Sequence, residues 1–183
     1  MVWDRSNTRT QGSGDQGFGR DSVRDGADWG VLLASGMASL WDAADSERIR
    51  TRIGRLLPDT FPRWGSFTSP QMVCHLCDSL RLIMGEIQAA PINKLLHVQP
   101  FKALALYVLP WPKGARSAPE LLETKPGEWM LDIATLLELH DQCVRRPEND
   151  LWGYSPHFGW LTKGEWGVVQ HKHFDHHLRQ FGC

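Results

Sequence analysis

Long apolar runs are missing from this 183-residue chain. No stretch approaches the ~18 to 20 residues that a membrane-spanning helix needs. The opening "MVWDRSNTRTQGSGDQGFGR" also lacks the hydrophobic segment of a secretory signal. The expectation is a cytoplasmic protein with no membrane partner. Net charge is nearly absent too, at −1 with His neutral, so nothing drives the chain toward phosphate backbones, and nucleic acid is not an expected partner. Cysteine is scarce. Cys74, Cys77, Cys143 and Cys183 are too few for a disulfide scaffold and are expected to stay reduced. The glycines are scattered and form no phosphate loop, and neither "WGSF" nor "YSPH" has the context of a serine-hydrolase elbow. Strand alternation and internal repeats are absent as well.

What is present is tryptophan, nine of them, which suggests a deep core or an aromatic-walled pocket. The length suits one domain. Residues 1–36 are rich in Gly, Ser, Asp and Arg without periodicity and read as a disordered extension to a domain at 37–183. Met37 is a candidate natural start, an idea that a mature N-terminus at Val2 in mass spectrometry of the native protein would exclude.

Four principal helices follow. The first is expected at about 45–57, capped by Asp45 or Ser46 and ended by Pro58. The second is capped by Ser69, with Pro70 at its first position, and runs to about Gln88. Pro91, Pro100, Pro110, Pro112 and Pro119 then rule out an uninterrupted helix, so a long crossover with a short helix through "FKALALYVL" is expected. The third helix follows Pro126 and ends near Arg146. The fourth starts at a capping box of Thr162 and Glu165 and stops at Gly182. This pattern describes an all-α four-helix bundle.

The last helix carries "HKHFDHHLRQFGC", with His171, His173, His176 and His177 close together. Residues four apart on a helix lie about 40° apart around the axis, so His173 and His177 point at one object. Trp166, Val169, Gln170, Gln180 and Phe181 share their stripe, which directs the pair inward. His176 lies at the stripe's edge as the rival, and His171 is expected in solvent. Two imidazoles seldom hold a divalent metal alone. His75 in "QMVCHLCDS" is the leading third ligand, His140 the runner-up, and His97 and His157 rank lower because their surroundings read as loop. Expected acceptors for the second ring nitrogens are Asp78, Asp141, Asp175 and Gln180, and Trp64, Trp160 and Trp166 are candidate pocket walls. Cys74 and Cys77 form a lone CxxC inside a predicted helix and read as buried structural thiols.

"MVCHLCDS" and "HFDHHLRQF" resemble the DinB-like, or YfiT-like, superfamily of four-helix metalloproteins. "RWGSFTSPQM", "LPWPKGARSAPE", "PHFGWLTKGEW" and "HKHFDHHLRQFG" resemble, in the same order, an uncharacterised domain-of-unknown-function subfamily of it over roughly Ser39 to Gly182. The resemblance implies an up-down-down-up bundle with the crossover between the second and third helices, and a divalent metal held by His75, His173 and His177. Zinc or nickel comes first, iron or manganese next. It also implies a homodimer, and chemistry on a small-molecule substrate such as a low-molecular-weight thiol. The expected function is that of a metal-dependent enzyme, a thiol S-transferase or a hydrolase. The competing expectations are a non-catalytic metal-binding stress protein and a metal-free dimeric helical scaffold.

Overall fold

A computed structural model describes residues 36–92, 94–147 and 149–183. The expected disorder of 1–36 therefore lies outside the described residues, Gly36 apart. Among the described residues the chain is all-helical and has no strand, only an isolated bridge between Ser155 and Gly159. The α-helices are α1 (Ala43–Ile53), α2 (Ser69–Ile83), α3 (Phe101–Ala103), α4 (Trp129–Arg145) and α5 (Lys163–Gln180). No helix among the described residues is long and apolar enough to cross a membrane.

Side chains that pair with free backbone N–H groups set the helix starts. Asp42, not Asp45 or Ser46, caps α1 by accepting from the amides of Ala44 and Asp45. Thr68, not Ser69, caps α2 in a reciprocal capping box with Gln71, which leaves Pro70 near the first helical position, where no intrahelical donor is needed. The α5 box of Thr162 and Glu165 forms as expected. The stops come earlier than the apolar pattern suggests. α1 ends at Ile53 before Gly54, and α2 ends at Ile83, two residues before Gly85, whose φ of 81° a side-chain-bearing residue rarely adopts.

The crossover holds short helical pieces: a 3-10 turn at Lys94–His97, α3 running into a π turn at Leu104–Val108, and a second 3-10 turn at Pro119–Leu122. Its polar ties lead to α5. The Lys172 ammonium donates to the carbonyls of Leu106 and Leu109 at 2.7 and 2.9 Å, and Lys102 pairs with Glu165 at 2.9 Å. α2 packs on α4, α5 and the second 3-10 turn, and α1 packs on α5. The shared core includes Ile49, Met72, Leu76, Leu80, Leu136 and Phe174, all fully buried. Within it His140 bridges α1 and α4, with its Nε2 3.3 Å from Ser46 Oγ and its Nδ1 3.4 Å from Asp141 Oδ1.

Candidate metal centre

One face of α2 and one face of α5 supply the site. His75 sits within a stretch of α2 that is buried on all sides, from Met72 to Leu80. On α5, Trp166, Gln170, His173 and His177 follow at spacings of four, three and four residues, the pattern of one inward stripe. His75, His173 and His177 meet where these faces approach. They are 3, 8 and 7% exposed. One ring nitrogen from each lies within 4.8 Å of the others, and Nε2 of His75 is 3.0 Å from Nε2 of His173. Two nitrogens on a tetrahedral metal at ordinary Zn–N distances stand about 3.3 Å apart. The spacing of the trio fits a single divalent ion after small ring rotations.

The far ring nitrogens fix the chemistry of the near ones. His75 Nδ1 stands 3.0 Å from the Leu121 carbonyl, which can only accept, so that nitrogen carries the proton and Nε2 presents a lone pair. Gln180 does the same for His177. Its amide nitrogen donates to the Trp64 carbonyl at 2.6 Å, which turns Oε1 to His177 Nδ1 at 2.8 Å. Of the four expected acceptors only Gln180 serves. Asp78 pairs with Arg81 and Thr124, Asp141 lies beside His140, and Asp175 binds Arg52 and Arg179.

Burial keeps the trio uncharged. It lowers the pKa of His75 and, together with the neighbouring His75, brings His177 down to about 3. His173 is pushed well below the ordinary value by burial and by the adjacent imidazoles. Neutral imidazole is the form that ligates a transition metal.

The trio lines a cavity of ≈ 340 Å³, a volume within the range of small-molecule sites. The indole of Trp111, from the crossover, stacks on His173 at 5.6 Å, and Phe67 lies 5.3 Å from His75 and 5.8 Å from His177. Among the described residues no Asp or Glu lines the cavity.

The other histidines divide. His176 also lines the cavity, but its Nε2 accepts from the Trp64 indole at 3.4 Å. His140 is outside the trio, clasped to Ser46. His171 is half-buried rather than in solvent, because Arg52 and Asp45 of α1 lie on its side of α5. His157 lines the cavity from the 154–159 loop, and burial lowers its pKa although its ring bonds the Arg116 backbone. No periodic signal marks a histidine delivered by a loop. Trp64 and Trp166 wall the cavity as expected, whereas Trp160 is 70% exposed and packs against Tyr154. Cys74, Cys77 and Cys143 are buried free thiols, and burial raises their pKa to about 11, 12 and 12. Comparison with family models, curated proteins and solved structures gives no match.

Proposed function

We propose that the chain is a DinB-like (YfiT-like) metalloprotein, an up-down-down-up four-helix bundle in which His75, His173 and His177 hold a divalent metal for chemistry on a small organic substrate. Thiol S-transfer and hydrolysis are the two reactions this site suits. The observation that carries the reading is the convergence of three buried imidazoles on the wall of a cavity large enough for a ligand. A core with no ligand to bind has no use for three adjacent unprotonated rings, two of them oriented by dedicated hydrogen bonds.

A divalent metal held by three neutral ligands would supply Lewis acidity, favouring the thiolate form of a thiol or the hydroxide form of a water near neutral pH. The residues around it suit that chemistry. Because no carboxylate among the described residues lines the cavity, the positive charge there is compensated best by an anionic group on the bound molecule. Trp111 and Phe67 offer aromatic surface to an apolar or conjugated body and shield the trio from water. His157 is held uncharged by burial, so the ring nitrogen not engaged with the Arg116 backbone is able to take a proton released in the cavity.

The test is a metal-reconstituted activity screen that offers thiols with aromatic electrophiles and, separately, activated esters. Turnover is expected in the loaded protein and is expected to be lost on His75→Ala and His173→Ala. Equal turnover in these variants, or in chelated protein, would overturn the reading.

A further inference from the structure

We propose that Gln170 and Trp166 form a neutral polar subsite along α5 that recognises an amide-type arm of the pocket's ligand. The inference rests on the proposal above that the pocket takes a ligand at a metal, and it names a chemical feature of that ligand.

Both residues are on the stripe that carries His173 and His177, and all four line the same cavity. Each is 2% exposed, yet Gln170 Oε1 and Trp166 Nε1 have no hydrogen-bond partner in the protein. Five buried side-chain polar atoms are in that position among the described residues, and only these two belong to residues lining the cavity. Buried Ser79, Ser155 and Gln180 on the same lining are engaged. Ser79 Oγ donates to the Leu76 carbonyl at 2.8 Å, Ser155 Oγ accepts from the Phe158 amide at 3.2 Å, and Gln180 joins Trp64 to His177. Buried polar groups are nearly always paired, and an unpaired one is costly. Leucine and phenylalanine would fill the same space without that cost.

The two orphans are complementary: an amide oxygen that accepts and an indole N–H that donates. Gln170 stands three positions before His173, about 4.5 Å along the axis, and Trp166 seven positions before it, about 10.5 Å. A ligand anchored at the trio therefore meets an acceptor first and a donor further along. An amide supplies both an N–H and a C=O, and it satisfies the Gln170 carboxamide in either orientation of that group. Neutrality matters, because among the described residues no carboxylate lines the cavity to balance an ammonium, and Arg116, itself exposed, is the one Lys or Arg on the lining.

Cobalt-loaded protein, read through its visible absorption, provides the measurement. Three thiols of similar length are titrated: 3-mercaptopropanamide, its apolar isostere 3-methylbutane-1-thiol, and 3-mercaptopropionate. The amide is expected to bind at least tenfold more tightly than the isostere. Gln170→Leu and Trp166→Phe are each expected to reduce that ratio at least threefold while leaving the isostere's affinity unchanged. Equal affinities in the wild-type protein would overturn the subsite without recourse to any variant, and so would a ratio that survives both substitutions. In either case buried water satisfies the two atoms. A carboxylate arm that outcompetes the amide would overturn its neutral character. Failure of the protein to take up cobalt would overturn the metal reading and the subsite with it. Thiol binding without discrimination would overturn the subsite alone.

Discussion

At the scale of single residues, the site depends on which nitrogen of each ring carries the proton. Gln180 accepts from His177 Nδ1 and so leaves its Nε2 with a free lone pair, and on the proposed function Gln180→Leu should weaken metal affinity 10- to 100-fold while leaving the fold intact, as read by metal titration and circular dichroism. Gln180 was nameable from sequence because it follows His177 at helical spacing. The Leu121 carbonyl that orients His75 was not, since a backbone acceptor leaves no mark on residue type. The same burial that keeps the rings neutral sets a pH dependence. In the unfolded chain these histidines titrate near the ordinary value of about 6.5. In the folded protein His177 is held at about 3, and His75 and His173 lie below the ordinary value. As pH falls below about 6.5 the unfolded chain takes up protons first, so stability present above that pH drains away toward the folded pKa values. Metal-free protein should therefore melt at progressively lower temperature from about pH 6.5 toward pH 3, and His177→Gln should flatten that slope. The cysteines give a separate check. Three of the four are buried with raised pKa, and only Cys183 is partly exposed. Native protein should react quickly with about one equivalent of a thiol reagent, with the rest reacting only on unfolding. Rapid labelling of Cys74 or Cys77 would contradict their reading as structural thiols.

At the scale of elements, two histidines with similar sequence settings have different work. His75 and His140 both lie on apolar helix faces, and spacing alone left either open as the third ligand. Packing separates them: α2 brings His75 to the α5 stripe, while α4 turns His140 toward Ser46 of α1. His140→Leu should thus cost about 1 to 3 kcal/mol of stability through the stranded Ser46 and lost fit, measured by denaturant unfolding, with metal stoichiometry unchanged. Loss of metal in that variant at full foldedness would contradict the assignment. The loop before α2 is tied to the site as well. Gly65 has φ 78°, and a Cβ there would meet the Gln180 amide nitrogen at 2.7 Å. Gly65→Ala should therefore displace Gln180 and weaken metal binding without touching a ligand. The helix cores were legible because their apolar spacing is regular, but their ends were not. Several capping side chains compete within "WDAADSE" and "FTSPQ", and only tertiary packing decides among them.

At the scale of the whole molecule, the long crossover could be read only as a proline-rich interruption. Its main contribution is Trp111 against His173 and the second 3-10 turn whose Leu121 carbonyl meets His75. Such contacts come from segments far apart in sequence, with no period to announce them. An ion used for chemistry, with the core of α1, α2, α4 and α5 already packed around it, should contribute modestly to stability. Chelation is expected to lower the melting temperature by only a few degrees, whereas collapse of the fold on chelation would favour the structural-metal alternative. The expected homodimer is checked by sedimentation at several protein concentrations. The central claim is that three histidines from two helices form one metal site, and elemental analysis of purified untagged protein tests it most directly, with wild type compared against His75→Ala, His173→Ala and His177→Ala. One divalent ion per chain in the wild type and a large loss in each variant is the predicted result. A wild type without metal after reconstitution, or variants that keep a full complement, would contradict it.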